Sequence, residues 1–219
     1  PVNYVSWGDS ARFANWLHNG QPTGAQNAST TEDGSYALNG ATSDAALLVV
    51  TRKANATWVM PSEDEWYKAA YYKGGSTNAG YWDYPTSSNT APGRDMADVS
   101  GNNANIYGSP YPIDSGKCTT VVGEFQNSDS PYGTFDQGGN VWEWNEAVLY
   151  GSYRGLRGGS FGHYYDYLLA SFRGYSYPAI EVINAAPHPS WPAVRCRKSP
   201  PTRPPPRPSH PEARAAVAR

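Results

Sequence analysis

At 219 residues and a formal net charge of −2, the chain has room for one domain with a real core and no electrostatic reason to bind a nucleic-acid backbone or an acidic membrane. Only 16% of residues are charged and 14% are aromatic, with 22 Gly and 19 Pro, which argues against a helical bundle and for short strands, turns and long ordered loops. No stretch approaches the roughly 18 consecutive apolar residues of a membrane span. Cys118 and Cys196 could pair once, but they cannot build a disulfide framework or a four-thiolate metal site.

Residues 9–18 are predicted as a short amphipathic helix, with Phe13, Trp16 and Leu17 on one face, Asp9 as a cap and Gly20 as a stop. A Gly/Asn/Ser/Thr-rich stretch runs to about Asn39, and strands are predicted around 46–53 and 57–60. The next helix has the clearest local signature. Ser62 followed by Glu65 is a capping box, Pro61 blocks an earlier start, Trp66, Ala69 and Ala70 form the buried stripe, and Gly74-Gly75 ends it. From Tyr81 to Tyr132 the chain is nearly aperiodic, and a loop region of that length needs support other than secondary structure, for which bound metal ions are one means. Strand patterning returns at 141–144, 156–161 and 168–173. Seven prolines, six basic residues and no aromatics mark 197–219 as a disordered or polyproline-like tail after a domain at 1–196.

Several segments in order carry a family likeness. They are Pro1-Val2-Asn3-Tyr4-Val5-Ser6-Trp7, Ala11-Arg12-Phe13-Ala14-Asn15-Trp16-Leu17, and Met60-Pro61-Ser62-Glu63-Asp64-Glu65-Trp66-Tyr67-Lys68-Ala69-Ala70. Further on come Tyr132-Gly133, Gly138-Gly139-Asn140-Val141-Trp142-Glu143-Trp144 and Leu156-Arg157-Gly158-Gly159-Ser160-Phe161. Through them, roughly residues 1–183 resemble the formylglycine-generating enzyme (sulfatase-modifying factor) family. The resemblance implies an α+β, C-type-lectin-like fold: small twisted antiparallel sheets, two helices and a high loop content. The strands that the family carries upstream of its first motif are missing from this sequence. The family's Gly-Phe-Arg close is not found after Asn184, where Ala193-Val194-Arg195 is a degraded echo. Export to the periplasm or the cell exterior is favoured by the resemblance alone.

The family's oxidase binds copper(I) through two cysteines after the Arg-Gly-Gly-Ser strand. The matching positions here hold His163 and Leu168, which cannot make a dithiolate, so formylglycine-generating activity and copper are not expected. Nor is iron, because the four histidines, His18, His163, His188 and His210, include no pair at helical spacing. Calcium is what the resemblance implies, as one or two ions held by oxygen ligands. One set would be Asn105, Ile106, Asp114 and Gly116; the other would be Asp136, Gly139, Val141 and Glu143. The same acidic side chains could instead cap turns or pair with arginine.

Around the strand that would floor the family's active-site groove lie His163, Tyr164, Tyr165, Tyr167, Arg173, Tyr175 and Tyr177. Tyrosine suits binding surfaces because it gives contact area and a polar tip at low entropy cost. The expectation is a non-catalytic, calcium-stabilised binding module for a peptide, protein or glycan, with no nucleic-acid partner and no membrane span. The alternative is a divergent hydrolase using His163 with a nearby hydroxyl. Gly8-Asp9-Ser10 looks like a hydrolase fragment, but Asp and Ser at a helix start are more simply caps.

Overall fold

The computed structural model describes residues 1–75, 79–114 and 118–181. Helix α1 (Trp7–His18) starts earlier than its pattern suggests, because Ser6 is the cap. The Ser6 hydroxyl accepts from the Asp9 amide at 3.0 Å, and the Asp9 carboxylate accepts from the Ser6 amide at 3.0 Å. Ser10 donates back to the Ser6 carbonyl at 3.0 Å, so Gly8-Asp9-Ser10 is a helix start and not a nucleophile. The buried face is also not the predicted one. Trp7, Ala11, Ala14 and Asn15 turn inward, while Phe13 is 59% exposed and stacks on Trp16 at 5.7 Å. Small side chains let this face approach closely, and Trp7, one turn before Ala11, anchors it by donating from its indole to the Asn145 carbonyl at 3.0 Å.

The strand predicted at 46–53 is instead a short helix, α2 (Asp44–Leu48), capped by Ser43. Tertiary contacts override the β-branched pattern here. The Arg154 guanidinium, over the Trp7 ring at 3.8 Å, donates to the carbonyls of Leu47 (2.8 Å), Leu48 (3.2 Å) and Val50 (2.7 Å) at the helix end. No strand forms at 57–60. Helix α3 (Glu63–Tyr71) follows the capping box as predicted, with Ser62 and Glu65 bonded reciprocally. Its buried residues are Trp66, Ala70 and Tyr71.

Strands β1 (Glu143–Leu149), β2 (Tyr153–Arg157) and β3 (Gly174–Ser176) form one antiparallel sheet in the order β1-β2-β3. Glu143 lies opposite Arg157 and Gly155 opposite Tyr175, with a bulge in β1 between Trp144 and Val148. The strand predicted at 168–173 gives way to a 3-10 turn (Tyr165–Leu168), and pairing resumes only at Gly174. The sheet and α1 close the main core through Trp7, Tyr36, Leu38, Leu47, Met60, Trp144 and Leu156. The aperiodic region is held by buried asparagines. Asn140 accepts from the Thr120 amide at 3.1 Å, and Asn105 donates to the Cys118 carbonyl at 2.9 Å. Among the described residues, no helix is long and apolar enough to cross a membrane. Cys196, Gly116 and the 197–219 segment lie outside the described residues.

Candidate functional site

The turn after β2 carries both positions where the family's thiolates would stand. Leu168 is fully buried in an apolar cluster with Tyr84, Ala104 and Ile106. His163 is buried in an aromatic box, 4.4 Å from the Tyr167 ring and 5.2 Å from the Trp142 ring, and Phe172 closes it at 4.6 Å from Tyr167. Its Nδ1 lies 2.7 Å from the Ser160 hydroxyl. Burial lowers the imidazole pKa to about 4, so it is neutral at pH 7.

Ser160 is a contact that the sequence could have announced. Gly158-Gly159-Ser160-Phe161-Gly162 has Gly-x-Ser-x-Gly spacing, a signal that the nucleophile reading of Gly8-Asp9-Ser10 passes over. The geometry nevertheless differs from a nucleophile elbow. Among the described residues no α-helix follows β2, Ser160 is 0% exposed, its hydroxyl also accepts from the Gly162 amide at 3.3 Å, and its carbonyl accepts from the His163 amide at 2.9 Å. These bonds make Ser160 a turn-closing residue that a substrate cannot reach.

The acidic side chains form two unlike settings. Most partly buried carboxylates have a cation: Glu63 has Arg157 and Arg173, Glu32 has Arg12, and Glu65 and Glu146 share Arg52. Glu143 has none among the described residues. Its Oε2 accepts from the Trp66 indole at 2.5 Å. Burial, reinforced by the Asp136 charge and opposed by that hydrogen bond, raises its pKa to about 7. Asp136, at φ 59°, accepts from the Gly123 amide at 2.6 Å and also lacks a basic partner. The Gly139 and Val141 carbonyls accept no hydrogen bond from the described residues. This donor chemistry fits a hard cation. Gly139 is also required sterically, since a Cβ there would lie 2.4 Å from the Asn105 carbonyl oxygen at φ 79°.

In the other predicted set the backbone carbonyls are already engaged. The Asn105 carbonyl accepts from the Asn140 amide at 2.8 Å, and the Ile106 carbonyl accepts from Arg94 Nε at 2.7 Å. Asp114 is half-buried. No group of three or more His, Cys, Asp or Glu side chains suited to a metal converges among the described residues, so backbone oxygens would have to complete either set.

The tyrosines predicted as one cluster separate into distinct groups. Tyr167 belongs to the His163 box. Tyr164 packs on Tyr107 at 5.0 Å, and Tyr165 on Tyr84 at 6.5 Å. Tyr175 and Tyr177 join Tyr150 and Tyr153, which the sequence reading did not include, because β3 returns beside the β1–β2 turn. Ring distances are 5.2 Å (Tyr150 to Tyr175), 4.8 Å (Tyr153 to Tyr175) and 4.6 Å (Tyr153 to Tyr177). Tyr150, Tyr175 and Tyr177 are all well exposed. Arg173 is tied to Glu63 instead of standing free beside them.

A three-stranded antiparallel sheet, two substantial helices and long loops pinned by side chains define a C-type-lectin-like α+β domain of the formylglycine-generating-enzyme kind. The chain belongs to the sulfatase-modifying factor enzyme 1-like domain family, whose model matches residues 1–185. The cysteine pair of that family's oxidase is not at the corresponding positions, which hold His163 and Leu168. Among solved structures, the chain is similar to Treponema denticola variable protein 1, with 22% identity and a TM-score of 0.53, covering 84% of this chain and 68% of that one. It also matches the crystal structure of CarF, with 22% identity and a TM-score of 0.49, over 84% of this chain and 64% of that one. At such identities the first likeness speaks to the fold alone. A search of curated proteins returned no match.

Proposed function

We propose that the domain is a non-catalytic binding module, stabilised by calcium at the 136–143 turn, that docks a peptide, protein or glycan on tyrosines presented by the sheet. The observation that carries this reading is the patch of exposed Tyr150, Tyr175 and Tyr177 around half-buried Tyr153, seated on paired strands. Rigid aromatic side chains of this kind supply contact area with little rotamer entropy to lose. Calcium is supported by Asp136 and Glu143, which have no basic partner among the described residues, and by the carbonyls of Gly139 and Val141, which none of those residues engages.

Peptide and glycan arrays probed with the full chain test the reading. Ligands found should lose about tenfold or more in affinity with Tyr175→Ala or Tyr177→Ala, as for aromatic anchors, and little with Tyr132→Ala. Binding that survives both patch substitutions, or no ligand on either array, would count against it.

The contact between Ser160 and His163 gives the hydrolase reading its one specific support. Against it stands the sealed serine. A fluorophosphonate probe should leave Ser160 unlabelled; covalent modification there would restore the enzyme.

A further inference from the structure

The 105–114 loop contains a cation of its own. Arg94 reaches across from outside the loop and donates from Nε to the Ile106 carbonyl at 2.7 Å. Its side chain lies against Gly108, where a Cβ would come within 2.8 Å of Arg94 Cδ, 3.0 Å of Nη1 and 3.1 Å of Nε. Only a glycine permits that approach. Arg94 makes no salt bridge among the described residues, and its Nη2 is buried without a hydrogen-bond partner. A guanidinium does not surrender its proton at any ordinary pH, so the charge stays with the loop.

We propose that the Arg94 guanidinium is the resident cation of this loop, and that the position formed by Asn105, Ile106 and Asp114 therefore takes no calcium. A calcium ion binds a carbonyl oxygen at about 2.3–2.6 Å. Sharing the Ile106 oxygen would hold the ion within about 5 Å of Arg94, where two like charges repel. The Asn105 carbonyl is committed to the Asn140 amide, and its side-chain amide donates to the Cys118 carbonyl. What the metal would do, tie the loop's carbonyls to a positive centre, the arginine does without dependence on ion concentration. Only the expectation of an ion elsewhere, at Glu143, rests on the functional reading above.

Calcium titration of the full chain by calorimetry, on wild type, Asp114→Asn, Glu143→Gln and Arg94→Met, tests this. Wild type should show a single class of site. Asp114→Asn should leave its affinity within about twofold, while Glu143→Gln should lower it about tenfold or more, as loss of a charged ligand does. Arg94→Met should lower the melting temperature by the same few degrees in chelator and in calcium. A second ion in wild type, or an ion removed by Asp114→Asn, would overturn the proposal, and the Asp114 arm holds even if Arg94→Met fails to fold. Wild type binding no ion would overturn the calcium reading of Glu143 while upholding that of Arg94.

Discussion

Two side chains decide what chemistry the domain retains. The family's oxidation chemistry needs paired thiolates at the positions of His163 and Leu168, and neither an aromatic-boxed neutral imidazole nor a core leucine can substitute. Incubation with a sulfatase-type cysteine peptide and copper(I) should leave its mass unchanged, and conversion of the thiol to an aldehyde would contradict this. Glu143 behaves differently. Its folded pKa, about 7, lies above the ordinary 4.5, so the folded state holds the proton more tightly than the unfolded chain. In metal-free protein this stabilising difference is present in full below about pH 4.5 and is lost as the pH rises through 7. Calcium must displace that proton, so its affinity should rise up to about tenfold per pH unit below 7 and level off above. An affinity flat between pH 5.5 and 7 would exclude Glu143 as a ligand.

At the scale of elements, legibility followed the range of the interactions. Helix α3 was readable because Ser62 and Glu65 hold its start from three residues apart. Ser62→Ala should cost about 1 kcal/mol, measurable in a urea titration, whereas Phe13→Ala on the exposed face of α1 should cost well under that of a core aromatic, about 3–5 kcal/mol. A reversed order would mean that the α1 face has been misassigned. The inward face of α1 was missed because its anchor, Trp7, precedes the apolar repeat and is positioned by Asn145, 138 residues away. Helix α2 forms despite its strand pattern because its end is held by Arg154, 107 residues away. The same limit applied to the candidate site. Glu143 and Asp136 stand in a motif legible in the sequence and Ser160 in a Gly-x-Ser-x-Gly spacing, but Arg94 at Ile106 and Tyr150 and Tyr153 beside Tyr175 come together only once the chain is folded.

The whole molecule divides, on our proposal, into a folded domain and a proline- and arginine-rich segment at 197–219, which holds too few apolar side chains to offset the entropy of ordering it. Deleting that segment should move the melting temperature by less than about 2 °C; a larger drop would mean that it packs on the domain. The domain itself carries long loops fixed by buried asparagines, glycines at close approaches and the Arg94 guanidinium. On this account the remaining support comes from an ion at the 136–143 turn, close to where β1 starts. The scaffold then holds the sheet that presents Tyr175 and Tyr177 without need of a reactive centre.

Thermal unfolding of wild type and Glu143→Gln at pH 7, each in chelator and in excess calcium, tests this account most directly. With calcium at about a hundred times its dissociation constant, mass action contributes about 2.7 kcal/mol. Wild type should therefore gain roughly 5–10 °C, at about 2–4 °C per kcal/mol for a domain of this size. Glu143→Gln, about tenfold weaker or more, should gain about half of that or less, and in chelator it should melt no lower than wild type, since it no longer encloses an unpaired charge. A wild type that calcium leaves unmoved, or a variant lower by the same amount in both conditions, would contradict the account and return Glu143 to the role of a turn-capping residue.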